Sequence, residues 1–438
     1  MGSDLASSLL CMLSCLGLAA CGEKGDDTGA AWDPPAASED WTRDLLHTAL
    51  VVDMDSLTGT ATITVAASGS TGLSLEVQGL EITAVTAPEG PLNWSVADGR
   101  LDVGLPATGS DAVLVVEYGF AAQETFEGWM DRGSTLVWPY FCGNLFPCHS
   151  DPADGLSFDL AVQTTTDGNV AVYPETIPAD APSYQIAWAM GSYERLDLGT
   201  TAGGVGLEAW YLAGHQDAAV EGTEFLLGAW EWLEATLGPY PYGDRAGSVE
   251  VSWGMGAYGG MEHHPLSHIA SSAMDSQETQ IHEAAHGWFG GGVRIACWED
   301  FVLSEGTVSY LTARALTQVA GDQAGEELWA AYEGDLDYVV AHETIESWPD
   351  SCGEVDILQD GLFSLGPYMR GAFFYKAYAE QVGVDALDAA LGSFFVDRVG
   401  SAATMQELID HLHLETGVDP MPLAEAWLRS MEDPRETL

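Results

Sequence analysis

Between residues 47 and 199 apolar and polar positions alternate in short runs, among them TATITVAAS, LDVGLP, AVLVVEYGF and SFDLAVQTT, with Gly, Asp, Asn and Pro between them. Period-two alternation gives a strand one apolar face, and the breakers supply turns. The pattern predicts an antiparallel, β-sandwich-like domain over residues 41–200. After TTAGGVG the period changes. AAVEGTEFLLGAWEWLEATLG spaces its apolar residues three and four apart and stops at Gly238-Pro239, as a helix does. SVEVSW reads as one more strand, and helical patterns follow over 275–290, 301–319, 368–382 and 405–416. A mainly helical domain is therefore expected over residues 201–438, giving a multidomain β + α chain. Two cores are natural for 438 residues.

One apolar run breaks these periods. Leu5 to Ala20 is short for a membrane span and ends in small residues, so residues 1–20 read as a signal peptide. Leu18-Ala19-Ala20-Cys21 resembles a bacterial lipobox, although Asp4 stands where a basic residue usually precedes the run. Cys21 would then carry lipid, residues 21–40 would be a lipoprotein linker, and the protein would face the periplasm or outer surface of a cell envelope, membrane-attached through Cys21. A buried N-terminal helix is the alternative.

Composition narrows the partners. With 67 acidic against 13 basic residues and a net charge of -54, nucleic acid is excluded as a partner. The acids are scattered, so they describe a solvated surface. Cys11 and Cys15 would leave with the signal. The remaining Cys142, Cys148, Cys297 and Cys352 suggest two disulfides in one of three connectivities, with free thiols as the alternative. Pairing Cys142 with Cys148 and Cys297 with Cys352 keeps each bond within one domain.

Chemistry concentrates in IHEAAHGWFGGGVRIACWEDFVLSEGTVSY, residues 281–310. His282 and His286 are four apart and share a helix face, where two imidazoles can hold one ion. Asp275 with Glu278 fits a capping box ahead of them, and Gly290-Gly291-Gly292 closes the segment. Glu305 opens the next helical pattern and can return a carboxylate to the same ion. Two His and one Glu leave one position of tetrahedral Zn²⁺ open, as a catalytic site requires, and one zinc per chain is expected. Glu283 is then placed to take a proton from water. HExxH arises by chance about 0.02 times in a chain of this composition, so two solvated histidines are the weaker reading.

Wider segments resemble the aminopeptidase N family of gluzincins, which includes the leukotriene epoxide hydrolase. HEAAHGWFGGGVRIACWEDFVLSEGTVSYL is similar to its zinc segment, and Gly259-Gly260-Met261-Glu262 to its exopeptidase motif. Tyr368-Met369-Arg370-Gly371 is similar to its Tyr-x-Lys-Gly, while FPCHSDPADGLSFDL and SYQIAWAMGSY resemble parts of its N-terminal domain. The resemblance implies a thermolysin-like catalytic domain acting on peptides. Tyr368 would stabilise the oxyanion, Glu262 would hold the substrate's α-ammonium, and Gly259 and Gly260 would let its backbone approach. Helix packing for Tyr368 and a surface position for Glu262 are the plainer readings.

Three features depart from the family pattern. His263 replaces an Asn, Gly291 stands where Asn often follows Phe-Gly, and no Gln or Glu near Trp138 supplies the usual second ammonium anchor. The chain ends soon after AEAWLRSMEDP, which resembles the close of the family's catalytic domain, so the family's C-terminal helical domain is expected to be missing. His263, His264 and His268 are expected as loop histidines bordering the substrate site rather than as a second metal cluster, and Asp300 as either a support for a ligand histidine or a helix-start acid. The expected function is a zinc metallopeptidase, an aminopeptidase releasing N-terminal residues from short peptides. A zinc endopeptidase and a non-catalytic peptide-binding lipoprotein are the alternatives, and binding alone requires no general base such as Glu283.

Overall fold

The computed structural model describes residues 32–436 apart from 167 and 255–258. The expected signal peptide and Cys21 lie outside the described residues. The chain divides into residues 1–33 and a body of residues 34–438. Both expected domains thus fall within one compact unit.

The first part of that body is β-rich. Its largest sheet has seven strands in the order Thr176–Ala181, Leu156–Gln163, Leu45–Asp53, Thr58–Val65, Ala112–Gly119, Glu81–Ala87 and Gly90–Pro91. Thr58–Val65 shows the cause: Ala61, Ile63 and Val65 are fully buried while the intervening threonines are partly exposed. The antiparallel expectation fails at one pairing. Leu45–Asp53 and Leu156–Gln163 run parallel, from His47 opposite Ser157 to Asp53 opposite Gln163, because more than a hundred residues intervene and alternation alone does not encode strand direction. The Cys142–Cys148 disulfide lies in this part.

A five-stranded sheet follows, ordered Tyr193–Thr200, Gly206–Leu212, Arg245–Val251, Leu266–Ala270 and Gly260–Met261. Its first strand pairs antiparallel with the second, so the change of sheet falls before Tyr193 and not at residue 200. The two-residue strand Gly260–Met261 forms one edge.

Helices complete the body. Phe301–Ala320 and Leu365–Val382 pack closely, and Asp322–His342 lies against both. Asp322–His342 and Val384–Arg398 were not expected from the sequence; the former buries only Gly325, Tyr332, Leu336 and Val339, too few to stand out as an apolar stripe. Leu365–Val382 starts three residues before the expected 368 because the Ser364 hydroxyl caps it, accepting from Gly366 N at 3.3 Å. The Cys297–Cys352 disulfide ties the entry of Phe301–Ala320 to the segment that precedes Leu365. Among the described residues, no helix is long and apolar enough to cross a membrane.

Candidate metal centre and its cavity

Gln277–Ala285 carries His282 and Glu283, and His286 is its helical C-cap with φ −60° and ψ −20°. The i,i+4 relation of the two histidines therefore survives, although the helix is shorter than 275–290. Its cap is Ser276, which accepts from Thr279 N at 3.1 Å, so the expected box from Asp275 to Glu278 is replaced. Glu278 is left to face elsewhere. Beyond His286 the chain turns at Gly290, where φ is +93° and a side chain would strain the backbone.

Glu305 comes from the first turns of Phe301–Ala320. His282 Nε2 lies 3.1 Å from Glu305 Oε2, His286 Nε2 lies 3.3 Å from the same oxygen, and the two Nε2 atoms are 3.3 Å apart. Ligand atoms on a tetrahedral Zn²⁺ with bonds of 2.0–2.1 Å would be separated by about 3.3 Å. The donors thus fit one shared ion. Their tautomer fits as well: His286 Nδ1 donates to Phe289 O at 3.0 Å, which turns the lone pair of Nε2 toward His282. Ser304 Oγ, 3.3 Å from that Nδ1, is a second support that the sequence reading missed. Charge agrees. Against burial, Glu305 and Glu262 raise the pKa of His286, so the surrounding carboxylates favour positive charge at this point, which a bound ion would supply in place of the proton.

Around the three donors lies a cavity of about 270 Å³, also lined by Gly259, Gly260, Met261, Glu262, Glu283 and Tyr368. The residues expected to hold the metal, carry out catalysis or bind substrate all line it. Glu283 is 6% exposed, one of its carboxylate oxygens has no hydrogen-bond partner, and burial holds its pKa well above the carboxylate range. A methyl on Gly260 would lie 2.6 Å from Glu283 Cδ, so only glycine lets this edge strand pass so close. Glu262 is 5% exposed, and its oxygen, one of Glu283 and a nitrogen of His286 fall within 4.8 Å of one another. The surface reading of Glu262 is thereby removed. Tyr368 stacks on His282 with ring centroids 5.8 Å apart and planes 16° apart.

Other expectations change. His263, His264 and His268 are buried and absent from the cavity wall, where loop positions bordering the substrate were expected. Burial lowers both His263 and His264 to about 3, leaving them neutral. His264 instead ties the histidine helix in place, with Nε2 2.8 Å from Glu283 O and Nδ1 2.9 Å from Tyr240 Oη. Asp300 accepts from Met405 N at 2.9 Å and Trp348 Nε1 at 3.2 Å, which makes it a helix-entry acid rather than a histidine support. The β-rich part adds Trp138 to the wall. Phe363, Leu365, Ser309, Tyr332, Asp335 and Glu278 line it too and were not expected there; only Glu278, one turn before His282, carried a readable signal.

Residues 255–427 match the model of the Peptidase family M1 domain. Leucine aminopeptidase 2 of Neurospora crassa is 25% identical over 284 residues, covering 58% of this chain and 40% of that protein. The leukotriene A-4 hydrolase of Xenopus laevis is 23% identical over 327 residues, covering 64% and 51%. The chain therefore spans about half the length, or less, of these curated relatives. Among solved structures, a mutant M1 zinc metallopeptidase from Deinococcus radiodurans bound to a Tyr-Ser-Ala substrate superposes with a TM-score of 0.77 at 19% identity, covering 90% of this chain and 95% of that one. Yeast LTA4 hydrolase in complex with bestatin gives 0.76 at 17% identity, covering 88% and 67%. Residues 255–427 thus resemble a peptidase family M1 domain, and the described residues share the fold of these structures.

Proposed function

We propose that this protein is a zinc-dependent aminopeptidase that removes N-terminal residues from short peptides. The observation that carries the reading is the placement of Glu262, a buried carboxylate within 4.8 Å of Glu283 and His286 donors, beside the metal cluster. A carboxylate there pairs with the α-ammonium of a free N-terminus and sets the first peptide bond over the three ligands. Zinc held by His282, His286 and Glu305 would polarise that carbonyl and acidify a water. Glu283 accepts the water's proton at its unpartnered oxygen and delivers it to the departing amine. The Tyr368 hydroxyl donates to the developing oxyanion. The Gly259-Gly260 edge lets the substrate backbone lie close to the sheet. Relatives named leucine aminopeptidase support this reading, as does a structural neighbour bound to a tripeptide. We place the protein in a bacterial cell envelope, attached through lipid on Cys21. Detergent partitioning that is lost in Cys21→Ala would support the anchor.

The test is product analysis. Purified protein should release single N-terminal residues in order from tripeptides, and a chelator should stop it. Internal cleavage of N-terminally blocked peptides at the same rate would establish an endopeptidase instead.

A further inference from the structure

The cavity has an end that this mechanism leaves unused. On the facing helix one residue, Glu305, meets both His282, at 3.1 Å, and His286, at 3.3 Å. One turn nearer the start of the histidine helix than His282, Glu278 and Thr279 line the cavity, as does Ser309, one turn beyond Glu305 on its own helix. Glu262 lies at the opposite, His286 end.

Glu278 and Asp335 put two carboxylates at this end, and among the described residues neither has a Lys, Arg or His ion-pair partner. Tyr332 Oη donates to Glu278 Oε1 at 3.2 Å and holds it in place. Burial, and then the charge of Glu278, raises the pKa of Asp335, as expected of two acids that lack a cation. Independently of the acids, Ser309 is 1% exposed and its hydroxyl has no hydrogen-bond partner. A buried hydroxyl on a cavity wall is satisfied by what enters the cavity.

We infer that Glu278 and Asp335 select peptides whose second residue, the one after the scissile bond, carries a cationic side chain, Lys or Arg. This rests on the aminopeptidase reading. With the N-terminus held at Glu262 and the first carbonyl at His282, the chain continues toward Glu278. One helical turn from His282 to Glu278 is about 6 Å, within reach of a Lys or Arg side chain but beyond a leucine. Tyr332 supplies an aromatic wall for the aliphatic stem.

The experiment compares kcat/KM for alanine release from Ala-Lys-Ala, Ala-Leu-Ala and Ala-Glu-Ala by the zinc-loaded full chain. Lysine should exceed leucine by about tenfold, from two partly screened ion pairs, and glutamate should be poorest. Glu278→Gln combined with Asp335→Asn should bring the lysine-to-leucine ratio toward one. Each ratio is taken within one preparation, so a loss of folded protein cancels. Asp335→Lys, at an exposed position, should shift preference toward the glutamate peptide. A ratio near one in the parent, or an unchanged ratio in the double variant, overturns the inference alone. Failure to release alanine from all three peptides overturns the aminopeptidase reading and this inference with it.

Discussion

Gly306 and Gly371 meet where Phe301–Ala320 crosses Leu365–Val382: a methyl added to Gly306 would lie 2.7 Å from Gly371 Cα. Each glycine is sequence-adjacent, or one helical turn away, from a residue to which the proposed mechanism gives a role. Glu305 precedes Gly306, and Tyr368 lies three residues before Gly371. The close crossing thus sets the distance between the proposed metal ligand and the proposed oxyanion donor, while Arg370, fully buried, anchors its helix to the end of Asp322–His342 by donating from Nε to Glu343 Oε2 at 2.8 Å.

Gly371→Ala should force the helices apart, lowering stability by about 1–3 kcal/mol as overpacking does. Turnover should fall further than the loss of folded protein explains, since Tyr368 moves with its helix. Thermal denaturation beside kcat on the folded fraction checks this, and an unchanged Tm would show that the crossing tolerates a side chain.

Much of the centre was legible because it is local. His282, Glu283 and His286 sit within five residues on one helical face, and Glu305 opens the next helical run, so spacing alone assembles a ligand set. The role of Gly371 was not legible, because its reason is a partner 65 residues away in sequence. Tyr332 and Asp335 were hidden for another cause. Their helix buries few apolar side chains and so shows little periodicity, leaving one wall of the cavity unread. The parallel pairing of Leu45–Asp53 with Leu156–Gln163 illustrates the same limit, since a period of two reports a face and not a direction.

Asp300 gives the stability a pH dependence. Burial raises its pKa to about 6, although Met405 N and Trp348 Nε1 donate to it. A raised carboxyl prefers its proton in the folded state, so stability is lost as pH rises from about 4 through 6, and the penalty is full above that. Asp300→Asn keeps an acceptor oxygen and removes the charge. The variant should match the parent near pH 4 and exceed it by up to ~3 kcal/mol at pH 7.5. Denaturant titrations at the two pH values decide, and a constant difference between the proteins would exclude Asp300 as the cause.

Removing the ligand and removing the base should separate cleanly. His282→Ala leaves two donors and should lose zinc by metal analysis, whereas Glu283→Gln should retain about one zinc per chain and lose hydrolysis. Full activity in Glu283→Gln would reassign the proton transfer.

Tyr368→Phe keeps the stacking on His282 and removes only the hydroxyl. The loss should appear in kcat, by roughly a hundredfold or more, with little change in KM, because the donated bond strengthens as the oxyanion forms. An unaltered kcat would return Tyr368 to a packing role.

Glu262 separates binding of a free N-terminus from general peptide binding. It is buried beside Glu283 and Glu305, and burial raises its pKa, so the ionised carboxylate is disfavoured unless a cation arrives. An α-ammonium is such a cation, and a desolvated pair of this kind costs roughly 2 to 5 kcal/mol to truncate. Acetylating a peptide removes the charge and adds bulk at the same point, so the parent should cleave blocked peptides poorly. Glu262→Ala should lose most of its kcat/KM for free peptides and little of its residual rate on blocked ones, narrowing the ratio between the two. The narrowing is the decisive quantity, since a merely structural role for Glu262 would lower both rates together and leave the ratio where it was.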